Sequence, residues 1–372
     1  MTQQNWGAPR PQDRYFPQGY LGQQQSYPVY PQSFSAPSGY DPWRAPYRPL
    51  RRRHPFRTLL LAAIMVFVAG GFLSTLASFL SDVGAQTEDG PWTAPDGYPS
   101  APVSTDPQTG VPAPDRDPSD LPVPATYSEA TMWLEDNAVY DQSVAVPTDC
   151  AVPQVNPQTA STSALQKHLN ELTACLWQVW DPPVTQAGFV LPRPPVTVYT
   201  SPITTGCGKV DEVNADYCAG DQRIYYAKQL YEILPDSLRS KPFMADTIIA
   251  HEFGHTVQAR TGILVSESAW EQKSGTPKSK QTEFSRRTEM QADCLAGMFV
   301  ASVAQANGLT AADRRDLGTL IYSFGDDAMT GQSGVAYDHG SGAARQQWFT
   351  AGQKSPAIDA CNTFTAPSSA VR

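Results

Sequence analysis

His251, Glu252 and His255 form the pattern H-E-x-x-H. Of all residues in this chain, their types and spacing are the most suited to metal binding and catalysis. On an α-helix, side chains four positions apart lie about 40° apart around the axis, so both imidazoles share one face. Two imidazoles placed in this way can bind one Zn²⁺, and the glutamate between them can reach a water at the metal. The alternative is a chance pattern on a helix surface.

The residues around this pattern favour a helix. Positions 245–247 (ADT) offer capping residues, and Gly262 stands where a helix would stop. Ile248, Ile249 and Phe253 supply apolar surface toward a core. Metal ligands need such a rigid, half-buried element to hold them in place.

A zinc hydrolase also needs a third protein ligand and an open fourth position. A third histidine six residues after the second, with a glycine between them, is absent, because Gln258 occupies the glycine position and Thr261 the histidine position. A glutamate from a second helix is the other common solution. Glu289 would be that ligand, and Asp293, four residues later, would bond a ligand histidine and fix its tautomer. Glu283 is the alternative ligand, although it has no acid four residues later, and a solvated polar helix face is the structural alternative.

Further short motifs follow a fixed order between about residue 195 and residue 364. They are 205–208 (TGCG), 217–218 (YC), 221–222 (DQ), 248–258 (IIAHEFGHTVQ), 289–297 (EMQADCLAG), 339–341 (HGS), Arg345, 348–349 (WF), Cys361 and 363–364 (TF). In order and spacing they resemble the bacterial putative neutral zinc metallopeptidase family, a group within the glutamate-ligand zincins. The resemblance implies a zincin-like domain that hydrolyses peptide bonds with one Zn²⁺.

Two positions depart from the pattern of that family. Members often carry a second histidine directly after H-E-x-x-H, where this chain has Thr256. They often have Gly-Pro-Phe before the Tyr-Cys pair, where this chain has 214–216 (NAD). Neither departure falls on a proposed ligand, but both positions are expected to influence which substrate fits.

The resemblance also implies roles in catalysis. Glu252 would take a proton from the attacking water and pass it to the leaving amine. The oxyanion needs a donor besides zinc, and His339 is the candidate because it is the histidine of the C-terminal motif block. Tyr226 and Tyr337 are weaker candidates, and a structural role for His339 beside 340–341 is the alternative. Ligand types indicate zinc, although Mn²⁺ or Co²⁺ could occupy such a site.

Composition divides the chain into four parts. Residues 1–57 form a Gln/Pro/Tyr-rich tail with too few aliphatic side chains to fold, and they could bind a cytoplasmic partner. Residues 58–80 are 23 uncharged positions, which as a helix would extend about 34 Å and cross a bilayer core. Residues 81–125 form a linker rich in proline and aspartate. Residues 126–372 are expected to form the folded domain, which the resemblance implies is a metallopeptidase.

Charge predicts the orientation of this chain in a membrane. Residues 1–57 hold eight arginines and two aspartates, a net charge of +6. Because the whole chain carries −9, the remainder carries −15. The positive end should stay in the cytoplasm, which places the catalytic domain outside the cell. The sequence contains no basic patch of the kind that binds nucleic acid. The expected partners are the membrane and a peptide or protein of the cell envelope.

The cysteines agree with an exported domain. All six follow the apolar run: Cys150, Cys175, Cys207, Cys218, Cys294 and Cys361. An even number outside the cytoplasm indicates disulfides, and fifteen pairings are formally possible. Cys207–Cys218 is the first choice because it closes a short loop before a strand, and Cys294–Cys361 and Cys150–Cys175 complete the set. The competing hypothesis, a zinc-ligand role for Cys207 or Cys294, is weaker because the helices already offer three ligands.

Residue patterns predict an α+β fold, rich in helix, with a small sheet at the edge of the cleft. A short helix is expected within residues 127–140, longer helices at 161–180, 282–306, 311–323 and 342–352, and strands at 196–199 and 223–226. Residues 273–280 should form a polar, flexible insertion. His168, within the 161–180 helix, is expected to be structural or exposed.

Three classes of function suit this sequence. The favoured class is a membrane-anchored zinc peptidase acting outside the cell. A zinc-dependent amidase acting on cell-wall material could use the same site. A non-catalytic binding protein with a zincin fold is the third class, but such a protein would be expected to lose Glu252 or a ligand, and this chain keeps them all.

Overall fold

The computed structural model describes residues 110–147, 150–210, 213–273, 275–332 and 337–372. The predicted tail (1–57), the predicted membrane span (58–80) and the linker up to residue 109 lie outside these residues. Within the described residues, no helix has both the length and the hydropathy needed to cross a bilayer.

The described chain is mainly helical and contains two small sheets. Its α-helices are α1 (Tyr127–Glu135), α2 (Thr162–Gln186), α3 (Met244–Arg260), α4 (Ile263–Gln272), α5 (Lys278–Val303), α6 (Ala311–Ser323), α7 (Asp326–Thr330) and α8 (Gly342–Gly352). Its strands are β1 (Val196–Tyr199), β2 (Ile203–Thr205), β3 (Gly208–Val210), β4 (Ala215–Cys218) and β5 (Arg223–Ala227). Short 3-10 helices lie at Leu230–Ile233, Ile358–Cys361 and Ser368–Val371. This is the helix-rich α+β architecture that the sequence predicts.

The main sheet has three strands in the order β1–β5–β4. β1 runs parallel to β5, with Val196 opposite Ile224, and β4 runs antiparallel to β5, with Asp216 opposite Tyr225. β2 and β3 form a separate antiparallel hairpin. β4 therefore lies at an edge of the main sheet, and it contacts the H-E-x-x-H helix α3.

Helix α3 lies at the centre of the domain, packed against α2, α5 and the sheet. Ile249 and Phe253 are fully buried and Ile248 is nearly so, as their positions in the sequence predict. Gly254 allows a close approach to α5, since a Cβ at that position would lie 3.1 Å from the Cα of Ala292. This contact sets the spacing between the two helices that carry the predicted ligands.

The start of α3 differs from the sequence-based expectation. The predicted capping residues 245–247 lie inside the helix, which begins at Met244 after Phe243 in a left-handed conformation (φ 65°). Asp246 does not cap α3. It is buried and pairs with Nε2 of buried His168 at 2.6 Å, and it accepts a hydrogen bond from Gln154. His168 is therefore structural, one of the two roles expected for it.

Most predicted elements occur near their expected positions. α6 and α8 have the predicted bounds, and α1 is the short helix predicted within residues 127–140. α5 begins at Lys278, so the polar insertion shrinks to residues 273–277. Helix α4 and strand β4 were not expected from the sequence.

Helix α2 continues past its predicted end at residue 180, through Pro182 and Pro183. Proline lacks an N–H group, so each ring removes one backbone hydrogen bond from the last turns. Trp180 and Val184, on either side of the prolines, are completely buried. Burial of this apolar face offsets the lost bonds, which explains why proline does not end the helix.

The end of the predicted linker lies against the domain. Arg260 at the end of α3 donates hydrogen bonds to the carbonyl oxygen (2.9 Å) and the hydroxyl (3.2 Å) of Ser119. Arg193 donates to the carbonyl oxygen of Pro112 at 3.0 Å. The composition of residues 110–125 did not indicate these contacts, because backbone carbonyls of any residue type can accept them.

Two of the three predicted disulfides are confirmed. Cys207 bonds Cys218, which joins the β2–β3 hairpin to β4, and Cys294 bonds Cys361, which joins α5 to a 3-10 helix. The third prediction is wrong for this structure, in which Cys150 and Cys175 are buried free thiols. The two thiols are neighbours, since Cys150 raises the pKa of Cys175 through a hydrogen bond, followed by burial of the thiol. The pairing therefore identified the correct neighbours but not a bond.

Candidate metal centre

The two motif histidines extend from one face of α3. The Nε2 atoms of His251 and His255 lie 3.2 Å apart, and their rings meet edge to face. The helix places them there because four residues make slightly more than one turn. Both side chains are largely buried, so a ligand between them would be shielded from bulk water.

Glu289 reaches the same point from α5. Its Oε2 lies 3.4 Å from Nε2 of His251, and its Oε1 lies 3.6 Å from Nε2 of His255. Three ligands about 2.05 Å from a tetrahedral Zn²⁺ would lie about 3.3 Å from one another. The three donor atoms therefore have both the chemistry and the spacing of a zinc tripod. The structure thus brings together the three residues that the sequence predicts as ligands.

Each histidine has a partner for its other ring nitrogen. Nδ1 of His251 lies 2.9 Å from Oδ1 of Asp293, the residue predicted for this role. Nδ1 of His255 lies 2.8 Å from Oε1 of Gln258. Such partners hold an imidazole so that Nε2 points toward the metal. In the sequence, Gln258 lies at the end of the 248–258 motif and at the glycine position of another zincin pattern, but neither pattern indicates a contact with a ligand.

A buried arginine continues the contacts of Asp293. Arg345 of α8 donates two hydrogen bonds to the carboxylate of Asp293, at 2.7 and 3.0 Å, and a third to the carbonyl oxygen of Phe324. Its Nη2 also lies 3.5 Å from Oε2 of Glu289. Arg345 is 3% exposed. Its charge keeps the nearby carboxylates ionised in a buried setting, where they would otherwise favour protonation.

A second polar network supports Gln258. Its side-chain amide donates to the carbonyl oxygen of Thr288 and to Oε1 of Gln291, at 2.8 and 3.0 Å. Gln291 in turn donates to the hydroxyl of Tyr140 and to the carbonyl oxygen of Cys361. The amide of Gln258 is therefore fixed with its oxygen toward His255.

Glu252 lies beside the tripod and is held by the sheet. Its Oε2 accepts a hydrogen bond from the backbone N–H of Tyr217 in β4 at 2.9 Å. Burial, above all, raises the pKa of Glu252 to about 8. A carboxylate with a raised pKa is a better proton acceptor than one in water. The edge strand thus positions the predicted general base.

The electrostatic environment of the ligand Glu289 has the opposite effect to that of Glu252. Burial would raise the pKa of Glu289, but a hydrogen bond with His251 and the positive field of the histidines lower it well below its ordinary value. Burial also lowers the pKa of His255 to about 4. An ionised carboxylate and a neutral imidazole are the forms that bind metal.

His339 lies in the loop before α8 and is anchored by Asp326. Its Nδ1 is 3.3 Å from Oδ1 of Asp326, and its backbone N–H donates to Oδ2 at 3.1 Å. Asp326 is itself 1% exposed. His339 is close enough to Glu289 for its charge to lower the pKa of that carboxylate, although less than the two ligand histidines do. Asp326 was not singled out in the sequence.

The alternative site residues are engaged elsewhere. Oε1 of Glu283 accepts hydrogen bonds from Arg287, Lys280 and Ser368. Cys207 and Cys294 are in disulfides, which removes them as zinc ligands. The side chain of Tyr226 is 1% exposed, in the core, and that of Tyr337 is 47% exposed.

Comparisons with known proteins agree with the donor set. Residues 137–364 match the family described as "Putative neutral zinc metallopeptidase". The uncharacterized protein Rv2575 of Mycobacterium tuberculosis is 32% identical over 192 residues, which cover 47% of this chain and 63% of that protein. The uncharacterized protein YpfJ of Escherichia coli K12 is 28% identical over 205 residues, or 53% of this chain and 71% of that protein. This chain thus spans less than two thirds of the mycobacterial relative, and no solved structure matches it significantly.

Proposed function

Because this chain belongs to the neutral zinc metallopeptidase family, we propose that it is a membrane-anchored peptidase that hydrolyses peptide bonds outside the cytoplasm. The observation that carries the proposal is the convergence of His251, His255 and Glu289 at tetrahedral spacing, with Glu252 beside them. When bound, Zn²⁺ supplies Lewis acidity, which makes a water more acidic and polarises a carbonyl.

Glu252 is the proposed general base. Its carboxylate accepts a proton from the attacking water and later gives it to the leaving amine. The N–H of Tyr217 occupies one carboxylate oxygen, at 2.9 Å, which leaves the other free for this exchange. Burial near the negative charges of Asp216 and Glu289 favours proton uptake at the moment of attack.

His339 is the proposed donor to the oxyanion, and Asp326 is the residue that positions it. The pair at Nδ1 holds one nitrogen of the ring, and Nε2 is the nitrogen proposed to donate to the oxyanion. Burial would lower the pKa of His339, but the hydrogen bond with Asp326 and the charge of Glu289 raise it. A protonated imidazole can donate to a developing negative charge.

The proposed location rests on the sequence. The uncharged run at 58–80 follows six arginines, at positions 44, 48, 51, 52, 53 and 57, so the tail would face the cytoplasm. Two disulfides in the domain agree with an oxidising exterior. A peptide or protein of the cell envelope is the proposed substrate, and the tail remains a proposed site for a cytoplasmic partner.

The first test measures bound zinc in the full chain and in a Glu289→Ala variant. We expect one zinc per wild-type chain and a loss of at least about 100-fold in zinc affinity in the variant, because two histidines alone leave the tripod open. Glu283→Ala is the matched control, since Glu283 lies on the same helix but bonds Arg287, and it should retain zinc. Equal zinc binding in wild type and Glu289→Ala would contradict the ligand set.

The second test offers the zinc-loaded chain two kinds of substrate, a pool of unmodified peptides and a preparation of cell-wall muropeptides. Cleavage of main-chain peptide bonds in the pool supports the peptidase. Cleavage restricted to the sugar–peptide amide would replace it with the amidase. No cleavage of either kind by a correctly folded, zinc-loaded chain would favour a binding protein.

A further inference from the structure

Asp216 lies next to the residue that binds the proposed general base. Asp216 precedes Tyr217 in edge strand β4, and the N–H of Tyr217 lies 2.9 Å from Oε2 of Glu252. Because a Cα atom lies about 2.4 Å from the next backbone nitrogen, the Cα of Asp216 is within about 5.3 Å of the proposed general base. A residue that flanks the bond being cleaved would therefore lie beside Asp216.

The side chain of Asp216 lies on the opposite face of β4 from Ala215 and Tyr217. Alternate residues of a strand face opposite sides, so Ala215 and Tyr217, both buried, share one face. Asp216 shares the other face with its cross-strand partner Tyr225 and with Cys218. It is half-buried on that face, where the Cys207–Cys218 disulfide holds the β2–β3 hairpin.

Asp216 has no partner of opposite charge among the described residues. No hydrogen bond or ion pair joins its carboxylate to a described side chain or backbone group, whereas Asp221 nearby bonds Tyr225 and the N–H of Gly206. A half-buried carboxylate with no partner is destabilising unless a cation offsets its charge.

Among the described residues, Arg345 contacts the tripod, but its charge is already paired with Asp293. The unpaired carboxylate of Asp216 would therefore attract a basic side chain of a substrate and repel an acidic one.

We propose that Asp216 is a specificity-determining residue that binds the basic side chain of a lysine or arginine next to the bond being cleaved. The inference rests on the proposed peptidase function, because it assigns a substrate class to the same site. It also gives a role to position 216, where this chain carries an acid and members of the family often carry phenylalanine.

The test measures binding, so it does not require turnover. The zinc-loaded full chain is titrated by calorimetry with three N-acetyl amino-acid hydroxamates, which hold the metal through the hydroxamate and differ in their side chain. The side chains are lysine, norleucine, which matches lysine without its charge, and glutamate. We expect the lysine compound to bind roughly tenfold more tightly than the norleucine compound, and the glutamate compound to bind more weakly than both.

Variants identify the residue responsible for this preference. Asp216→Asn keeps the shape of the side chain and breaks no hydrogen bond between described residues, so it should fold and lose the lysine-over-norleucine ratio. Asp236→Asn removes an acid whose side chain is 89% exposed, away from the site, and should retain the ratio. Arg345 and the ligands are untouched in both variants.

The outcomes separate this inference from the proposed function. A wild-type ratio near one, or a ratio that survives in Asp216→Asn, overturns the role of Asp216. A lysine preference that depends on Asp216 in a chain that cleaves no peptide overturns the peptidase and leaves a binder of cationic groups. Absence of hydroxamate binding to the zinc-loaded chain counts against both.

Discussion

Single residues around the metal centre divide into those that hold the ligand atoms and those that act on protons. His251, His255 and Glu289 supply the tripod, whereas Glu252 lies beside it with one oxygen bound to the backbone. This division predicts that metal binding and catalysis can be separated by mutation.

Glu252→Gln should separate them. We expect kcat to fall by about 10²–10⁴-fold, because glutamine has nearly the same shape but cannot accept the proton. Zinc content should remain one per chain, since no ligand is changed. Peptide hydrolysis and zinc content measured on the same preparation check this. Near-wild-type kcat would show that another group is the base.

At the scale of residues, the sequence identified the groups that a local pattern connects. His251 and His255 follow from helical spacing, and Glu289 with Asp293 from a second i,i+4 pair. Arg345 could not be assigned a contact, because it meets Asp293 across 52 positions of sequence. Asp326 was missed for a similar reason, since it lies 13 positions before His339 in the sequence.

The elements that carry the site are held at fixed distances by close packing. α3 meets α5 where Gly254 faces Ala292, and α5 meets α8 where a Cβ at Gly297 would lie 2.1 Å from the carbonyl oxygen of Phe349. The tripod spans the first contact and Arg345 spans the second. At both contacts a single added methyl group would force the helices apart. The absence of a side chain at Gly254 and Gly297 therefore sets the geometry of the metal centre.

Gly254→Ala should separate α3 from α5. The added methyl group would lie 3.1–3.3 Å from atoms of Ala292, most of them backbone, which can shift only if the helices move apart. We expect a loss of about 1–3 kcal/mol in the free energy of unfolding, together with weaker zinc binding.

The matched control for that variant is Gly318→Ala in α6. There the new methyl group would meet only the flexible side chain of Gln346. Because alanine favours a helix, Gly318→Ala should be neutral or should stabilise the protein by up to about 1 kcal/mol. Urea unfolding of both variants measures the difference. Equal effects would show that the α3–α5 contact is not tight.

Glu283 should make stability depend on acid pH. Partial burial would raise its pKa, but hydrogen bonds from Arg287, Lys280 and Ser368 lower it to about 2. A folded-state pKa below the unfolded value of about 4.5 gives stability that is present above pH 4.5 and is lost as pH falls toward 2.

Glu283→Gln should therefore cost roughly 1–3 kcal/mol at pH 7 and almost nothing near pH 2. Chemical unfolding at a series of pH values measures both limits. A cost that stays constant over this range would show that the ionised carboxylate is not the source of the stability.

At the scale of elements, periodicity predicted the long helices well, and bounds such as those of α6 and α8 agree. It did not predict β4, because its four residues include an aspartate and no β-branched side chain. It also ended α2 too early, because the expected effect of two prolines was outweighed by burial of Trp180 and Val184.

At the scale of the whole molecule, two disulfides cross-link the chain and close loops of different length. Cys207–Cys218 joins residues 11 positions apart, and Cys294–Cys361 joins residues 67 positions apart. A longer loop loses more freedom in the unfolded chain when it is closed. The two bonds should therefore differ in their contributions to stability.

Replacing both Cys294 and Cys361 with alanine should lower the free energy of unfolding by about 4 kcal/mol, against about 3 kcal/mol for Cys207 and Cys218. Calorimetric or urea unfolding without reductant measures both. A larger loss from the shorter loop would indicate that contacts of the β2–β3 hairpin, and not chain entropy, dominate.

At this scale, residue patterns predicted the helix-rich α+β fold class, and the cysteines predicted two pairings that the structure confirms. The contacts of residues 110–125 could not be read from composition. Residues 110–125 resemble a linker, yet Ser119 and Pro112 accept hydrogen bonds from arginines of the domain. Such contacts use backbone oxygens, which carry no signal in the sequence.

The short polar segment between α4 and α5 also divides the molecule in an unexpected way. Cys207–Cys218 lies wholly before this segment, and Cys294–Cys361 lies wholly after it. His251 and His255 precede it, whereas Glu289 follows it. A single cut at residues 273–277 would thus yield two pieces with no disulfide between them and an incomplete set of ligands on each. Zinc would then bridge the two halves. Reassembly of the separated pieces, measured with and without the ion, would therefore report the affinity of the site for the metal.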